Sequence, residues 1–363
     1  MLIRYGTDKD GKPIKKAVIY TKSEHCILKE KIDIDAVRII ERLYSAGFSA
    51  YIVGGAVRDL LLGNVPKDFD IVTDATPSRI KRIFRNSRII GKRFRLVHVV
   101  VGMKIFEVST FRSTVDGSVG NNFGTIDEDV KRRDFTLNAL YYDPLKEQII
   151  DYVGGIRDIK KHMLRPVISL DRIFVEDPVR MIRAVKYSAT TGAHMPFVLR
   201  HKIRHSASLL GSVSPSRITE ELLKIINSGC MFDIVQEAID TNIYNYLQPA
   251  ACSFICNDKR FEDAYMEKLK RLDALSISDS GARLGKKLAF LISDFVCLLT
   301  DWEKEIAAGT PVAELYAKTW SECRHFVLPM NPQRTELEFA VRLVLKELGV
   351  QVRSQKRRKI NGL

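Results

Sequence analysis

No stretch of this sequence is apolar for long enough to cross a bilayer, and its opening, MLIRYGTDKDGKPIKK, lacks the apolar core of a secretory signal. The expectation is a cytoplasmic protein with no membrane partner. Cysteine is sparse and scattered. Of the six, Cys26, Cys230, Cys252, Cys256, Cys297 and Cys323, only Cys252 and Cys256 stand close, and no second pair follows them. That spacing argues against a cysteine zinc module or a disulfide scaffold and for reduced thiols. No Gly-x-x-x-x-Gly-Lys-Ser/Thr segment occurs, so a P-loop is excluded. No internal repeat is visible.

Acidic residues are in deficit. There are 44 Asp and Glu against 58 Lys and Arg, a net charge of +14. Between Ser78 and Val100 stand eight Lys or Arg and no acid, and the tail VRSQKRRKINGL adds five more with none. Clustering of this kind suits a polyanion, and neither stretch has the apolar face of a membrane-surface helix. Lys92, Arg93 and Arg95 in the first cluster, with Lys356, Arg357, Arg358 and Lys359 in the tail, are the candidate nucleic-acid contacts.

At 363 residues, 45% of them hydrophobic, two or three domains are expected. From about Ala50 to Ile150 strand and helix signals alternate. AYIVG is a β-prone run ended by Gly54-Gly55, AVRDLLLG reads as a helix stopped by Gly63, and KDFDIVT alternates as a strand. SRIKRIF has helical spacing with Pro77 in its first turn, and RLVHVVVGMKIFEVSTF reads as a hairpin about Gly102. Residues 113–124 are rich in Gly, Ser and Asn and read as a mobile loop. Beyond about Leu170 the periodicity is almost wholly helical.

Chemistry concentrates in YIVGGAVRDLLLGNVPKDFDIVT. As strand residues two apart, Asp68 and Asp70 share a face while Phe69 and Ile71 point to the core. Adjacent carboxylates repel unless a cation lies between them, and magnesium takes such oxygen ligands. A strand, the Gly54-Gly55 step and a helix start present backbone N–H groups to an anion, and Arg58 adds a charged fork. Glu107 in KIFEVSTF points away from Phe106 and Val108, and a strand beside KDFDIVT would bring it to the aspartates. In DEDVKRRDFTLNALYYD, Arg133 suits phosphates and Asn138 a sugar, while Asp134 suits an arginine, a metal-bound water or a helix cap.

Together GGAVRDLLLG…DFD, RRDFTLNALYY and EDPVRMIRAVKY resemble the signature motifs of class II nucleotidyltransferases, the family of CCA-adding tRNA nucleotidyltransferases and bacterial poly(A) polymerases. The resemblance covers about Ile34 to Gly229. It implies an α+β fold: a small mixed-sheet head followed by all-α neck and body domains. The boundaries expected are an extension at 1–33, a catalytic head at 34–165, a neck at 166–235, an RNA-binding body at 236–350 and a basic tail at 351–363. It also implies that Asp68, Asp70 and Glu107 carry two magnesium ions, that Asp134 belongs to the active centre, and that Gly54, Gly55, Arg58, Arg133 and Asn138 contact the nucleotide.

The family's base reader falls on EDPVRMIR. Asp177, the expected N-cap before Pro178, and Arg180 lie three apart on one helical face, which Arg183 continues. A carboxylate accepts from an exocyclic amine and an arginine donates to a ring nitrogen, which favours ATP or CTP over UTP and GTP. The alternative is a capping ion pair. Where the family often has a further arginine this sequence has Lys186, which keeps the charge and loses the planar fork. SRIIGKRFRLVHVVVG, including His98, resembles the stretch that marks bacterial poly(A) polymerases. The implied reaction is template-independent transfer of AMP from ATP to the 3′ end of an mRNA or tRNA, releasing pyrophosphate, with no obligate protein partner. A CCA- or A-adding tRNA enzyme is the alternative, and an RNA-binding protein without catalysis a further one.

Overall fold

The computed structural model describes residues 2–7, 12–91, 96–113 and 123–352. The expected RNA contacts Lys92, Arg93, Arg95, Lys356, Arg357, Arg358 and Lys359 lie outside them, as do residues 114–122 of the glycine-rich segment. The chain forms two compact units. One is built on the residues up to Ile173 together with Thr191–Phe197, the other on Phe174–Thr190 and the residues from Val198 onward.

The first unit carries a mixed nine-stranded sheet. Its strands are β1 (Leu2–Thr7), β2 (Pro13–Thr21), β3 (Ala50–Val53), β4 (Asp70–Thr73), β5 (Ser87–Ile90), β6 (Leu96–Val101), β7 (Lys104–Thr110), β8 (Leu140–Asp143) and β9 (Gln148–Asp151), in the order β1-β2-β9-β8-β3-β4-β7-β6-β5. Only β4 and β7 run parallel. The first residues of the chain therefore contribute a hairpin to the sheet through β2 and β9. The hairpin read about Gly102 is β6–β7, turning where Gly102 takes φ +59°.

Strand alternation divides the sheet between two apolar layers. Ile52, Ile71, Val108, Tyr142 and Ile149 pack against Ile39, Ile40 and Leu43 of helix Ile34–Ser45, and against Val57 and Leu60 of helix Gly55–Leu61. Their sequence neighbours Val53, Val72, Tyr141 and Ile150 form the other layer with Val130 of helix Ile126–Arg132. Each fully buried Ile or Leu contributes about 1.5–3 kcal/mol, so this division fixes which residues face the site.

The strand expected over KDFDIVT begins only at Asp70. Its partner β3 pairs Val53 with Asp70 and then turns away at Gly54, so Asp68 has no ladder to join. The alternation nevertheless holds: Asp68 and Asp70 are exposed, while Phe69 and Ile71 are buried in the core.

The second unit is helical throughout its described residues. Helices Lys259–Ser278, Leu284–Leu299 and Arg334–Glu347 bury Leu269, Leu272, Leu288, Ile292, Leu337, Val341 and Val344 at helical spacing. The hydroxyls of Tyr244 and Tyr265 meet inside it at 2.9 Å. All six cysteines are free thiols. Among the described residues no helix is long and apolar enough to cross a membrane.

Candidate nucleotide-binding site

Gly54 ends β3 at φ +70° and ψ −131°, a conformation closed to residues with a side chain, and Gly55 opens helix Gly55–Leu61. Two guanidinium groups close on this step. A Cβ on Gly54 would lie 3.8 Å from Nη1 of Arg133, and one on Gly55 3.6 Å from Nη2 of Arg58. Asn138 joins them: its Oδ1 accepts from Arg58 at 2.9 Å and its carbonyl from Arg133 at 3.3 Å. The Nδ2 of Asn138 is buried and has no hydrogen-bond partner, so the amide keeps a donor in reserve beside two cationic forks.

Each arginine is braced. Nε and Nη2 of Arg58 bind Asp59 at 2.8 and 2.7 Å. Arg133 binds the buried Asp129 through Nε at 3.2 Å and Nη2 at 2.9 Å, and its Nε also donates to Tyr141 at 2.9 Å. The Tyr141 hydroxyl donates to Asp129 at 2.7 Å, and its ring lies 5.0 Å from the guanidinium. Burial works against the charge on Arg133, but Tyr141 and Asp129 outweigh it and hold its pKa above the ordinary value. Burial, abetted by Asp129, raises that of Tyr141.

The acidic residues follow from register. Val53 pairs with both Asp70 and Tyr141, so Asp70 faces the same side as the Arg133–Tyr141–Asp129 cluster. In the parallel pair Ile71 matches Val108, which puts Glu107 level with Asp70 on that face. Across β6 and β7 Glu107 pairs with His98, whose Nε2 lies 3.5 Å from its Oε1. Asp68, one residue outside β4, is exposed on the approach. Among the described residues no three His, Cys, Asp or Glu side chains cluster to hold a metal. Asp68, Asp70 and Glu107 are therefore not drawn together as a metal cluster, although all three are exposed carboxylates and offer hard oxygen ligands of the kind magnesium binds.

Asp134 is not a helix cap. Helix Ile126–Arg132 is capped by Thr125 with Glu128, and Asp134 lies beyond its other end, buried, with Oδ1 accepting from the N–H of Phe135 at 2.7 Å.

In the helical unit Asp177 precedes helix Val179–Thr191 and accepts from the N–H of Val179 at 3.2 Å. Asp177 and Arg180 do not pair. Asp177 is held by Nη2 of Arg217 at 2.8 and 3.0 Å, and Arg180 by Glu176 at 3.1 Å. Arg183 donates to the hydroxyl of Tyr187 at 2.9 Å. Lys186 is buried and bonds Glu221 of helix Pro215–Ile226 at 2.5 Å. Arg217, Glu221, Asp129 and Tyr141 stand outside the candidate site residues of the motifs, and only the fold brings them to those side chains. Glu221 had a signal, standing inside the apolar stripe Ile218, Leu222, Ile225, as Lys186 does beside Ile182 and Val185. Asp129 and Arg133 had i, i+4 spacing.

A mixed sheet that sets carboxylates and arginines around a Gly-Gly turn, followed along the chain by an all-α unit, is the plan of a nucleotidyltransferase. Two known families match the chain: "Poly A polymerase head domain" at residues 50–165 and "Probable RNA and SrmB- binding site of polymerase A" at residues 196–255. Poly(A) polymerase I of Salmonella typhimurium is 37% identical over 273 residues, 70% of this chain and 59% of that one. The CCA-adding enzyme of Lactobacillus helveticus is 39% identical over 199 residues, 53% of this chain and 49% of that one. The chain thus spans about three-fifths or less of these relatives. The crystal structure of Bacillus stearothermophilus CCA-adding enzyme in complex with CTP matches with a TM-score of 0.57 at 26% identity, over 87% of this chain and 82% of that one. The head-domain match and the likeness to both poly(A) polymerase I and CCA-adding enzymes are consistent with the class II nucleotidyltransferase family.

Proposed function

We propose that this protein adds AMP from ATP to RNA 3′ ends without a template, as a poly(A) polymerase. The observation that carries the choice is the longer of the two matches to relatives, 273 residues against 199, which is to a poly(A) polymerase. In the reaction the RNA 3′-oxygen bonds to the α-phosphorus of ATP, the bond to the β-phosphate oxygen breaks, and pyrophosphate leaves with its charge. The hydroxyl proton passes to solvent, and no covalent enzyme intermediate is needed.

Arg58 and Arg133, pre-oriented by Asp59, Asp129 and Tyr141, receive the phosphate oxygens at little entropic cost. The backbone of Gly54 and Gly55 lets those oxygens approach closely. The spare Nδ2 of Asn138 donates to the sugar. Asp68, Asp70 and Glu107 would hold magnesium, which when bound lowers the pKa of the attacking hydroxyl and offsets charge on the leaving group. Asp134 orders the turn that carries Asn138. Asp177 and Arg180 read the amine and ring nitrogen of the base, exchanging Arg217 and Glu176 for the nucleotide.

The second reading is a CCA- or A-adding tRNA enzyme, favoured by the likeness to a solved CCA-adding enzyme. A binding protein without catalysis is disfavoured because Asp68, Asp70, Glu107 and Asp134 are all retained. The test supplies each nucleotide singly and all four together, with unstructured RNA and with tRNA ending before CCA. Repeated A addition to the unstructured RNA, with no C added to the tRNA, is expected. Ordered C, C, A addition that then stops would replace this reading with the second.

A further inference from the structure

Helices Pro249–Asn257, Leu284–Leu299 and Val312–Phe326 of the helical unit line a cavity of about 390 Å³. Cavities that hold small molecules run from roughly 300 to 1,000 Å³. Three phenylalanine rings form its apolar wall. Phe295 and Phe326 stack with centroids 4.2 Å apart and planes 16° apart, and Phe254 lies 6.1 Å from the first and 6.4 Å from the second. Phe326 is buried, while Phe254 and Phe295 are only partly so and keep ring surface open to the cavity.

The polar side of the cavity comes from one helix, through Ser321, Glu322 and His325. Nδ1 of His325 donates to the Ser321 carbonyl at 2.7 Å, which leaves Nε2 of the neutral ring as an acceptor. Glu322 is a half-buried carboxylate whose charge is not met. Lys318, one turn before it, is the only cation acting on it among the described residues, and Lys318 is bound to Glu305. The nearby Asp301 is paired with Lys304 at 2.7 Å. Three carboxylates thus share two ammonium groups, and Glu322 is the one left over. Burial and the other two carboxylates outweigh Lys318 and hold its pKa above the ordinary value. From Asp301 to Glu322 five acids stand against two lysines, in a chain whose net charge is +14. The missing component is a cation.

The wall narrows its identity. Magnesium needs several oxygen ligands, and one carboxylate against three rings does not supply them. A phosphate would be repelled by Glu322, which separates this cavity from any contact with ATP or RNA. Aromatic faces attract an organic cation, and an aliphatic stem gains by leaving water for the rings. The volume suits a small molecule. We propose that Phe254, Phe295, Phe326, Glu322 and His325 form a binding site for a small organic cation, an ammonium group on an aliphatic stem.

The test titrates the whole chain with butylammonium and with butanol, the same stem without the charge, and follows the small molecule by NMR. Butylammonium should bind saturably, and butanol roughly 10-fold more weakly, the worth of a hydrogen bond to a charged group. Glu322→Gln should lose the same factor for butylammonium and nothing for butanol. Phe254→Leu should weaken butylammonium about 2–5-fold by removing one ring from the cation. Melting temperature verifies that each variant is folded, and neither change reaches a fully buried side chain. A wild type that does not bind butylammonium, or binds butanol equally well, overturns the site. So does a folded Glu322→Gln protein with wild-type affinity for butylammonium. A short peptide carrying one lysine is the second arm. If it binds through Glu322 at least 10-fold more tightly than butylammonium, the small-molecule assignment falls and the occupant is a side chain of a protein partner.

Discussion

Replacing Lys186 by methionine should destabilise the helical unit and spare nucleotide choice. The Lys186–Glu221 contact is 2.5 Å long, and the two side chains are only 10% and 5% exposed. Breaking a buried pair by removing one partner costs about 3–5 kcal/mol, because the other charge stays buried. Lys224 also reaches Glu221, at 3.2 Å from a half-exposed position, and relieves part of that penalty. Lys186→Met should therefore cost about 2–3 kcal/mol, or roughly 5–10 °C in melting temperature for a unit of this size. Lys186→Met with Glu221→Leu removes both charges and should recover most of the loss.

The same pair has a pH signature. Burial opposes ionisation of Glu221, but Lys186 and Lys224 outweigh it and hold the carboxyl below its ordinary range. A carboxyl whose folded pKa is depressed contributes stability above its unfolded value, about 4.3, and loses it as pH falls through the folded one. The advantage of the wild type over Lys186→Met should thus shrink below about pH 4. Thermal melts from pH 3 to 8, with the four single-nucleotide rates for each variant, form the assay. A Lys186→Met protein that melts like the wild type but misincorporates UTP or GTP would refute the reasoning and return Lys186 to the nucleotide.

Asp70→Ala is expected to abolish AMP transfer and leave oligo(A) binding largely intact; near-normal turnover would remove Asp70 from the metal set. Arg180→Ala should lower ATP addition and raise UTP and GTP misincorporation relative to it, each lost base-edge contact being worth roughly 1–3 kcal/mol by analogy with bidentate base readout. Unaltered nucleotide ratios with a lower melting temperature would leave Arg180 only its pair with Glu176. Asp294 is buried with an unpartnered Oδ2, and burial raises its pKa against Lys268 and Arg271. Its charge costs stability above the unfolded value of about 3.9, so Asp294→Asn should stabilise by about 1–2 kcal/mol at pH 7 and gain nothing below about pH 4. Melting temperatures of both proteins at pH 3 and pH 7 decide this; a gain that persists at pH 3 contradicts it.

The sequence by itself carried the local chemistry. Alternation placed Phe69 and Ile71 in the core and left Asp68 and Asp70 outside it, because a strand can point successive side chains only to opposite faces. Gly54 announced a backbone conformation no other residue adopts, and Pro77 a helix start. Helical periodicity beyond Leu170 announced the all-α unit. Pairing across long separations was decided by tertiary structure. The pairing of β4 with β7 brings Glu107 level with Asp70, 37 residues earlier in sequence, and no local pattern encodes that register. Asp177 and Arg180 looked like partners at helical spacing, yet Arg217 lies 40 residues on and takes the carboxylate. Helix spacing makes a contact available. Which of the available charges meet depends on how two helices pack, and that is set by the apolar stripes on both of them.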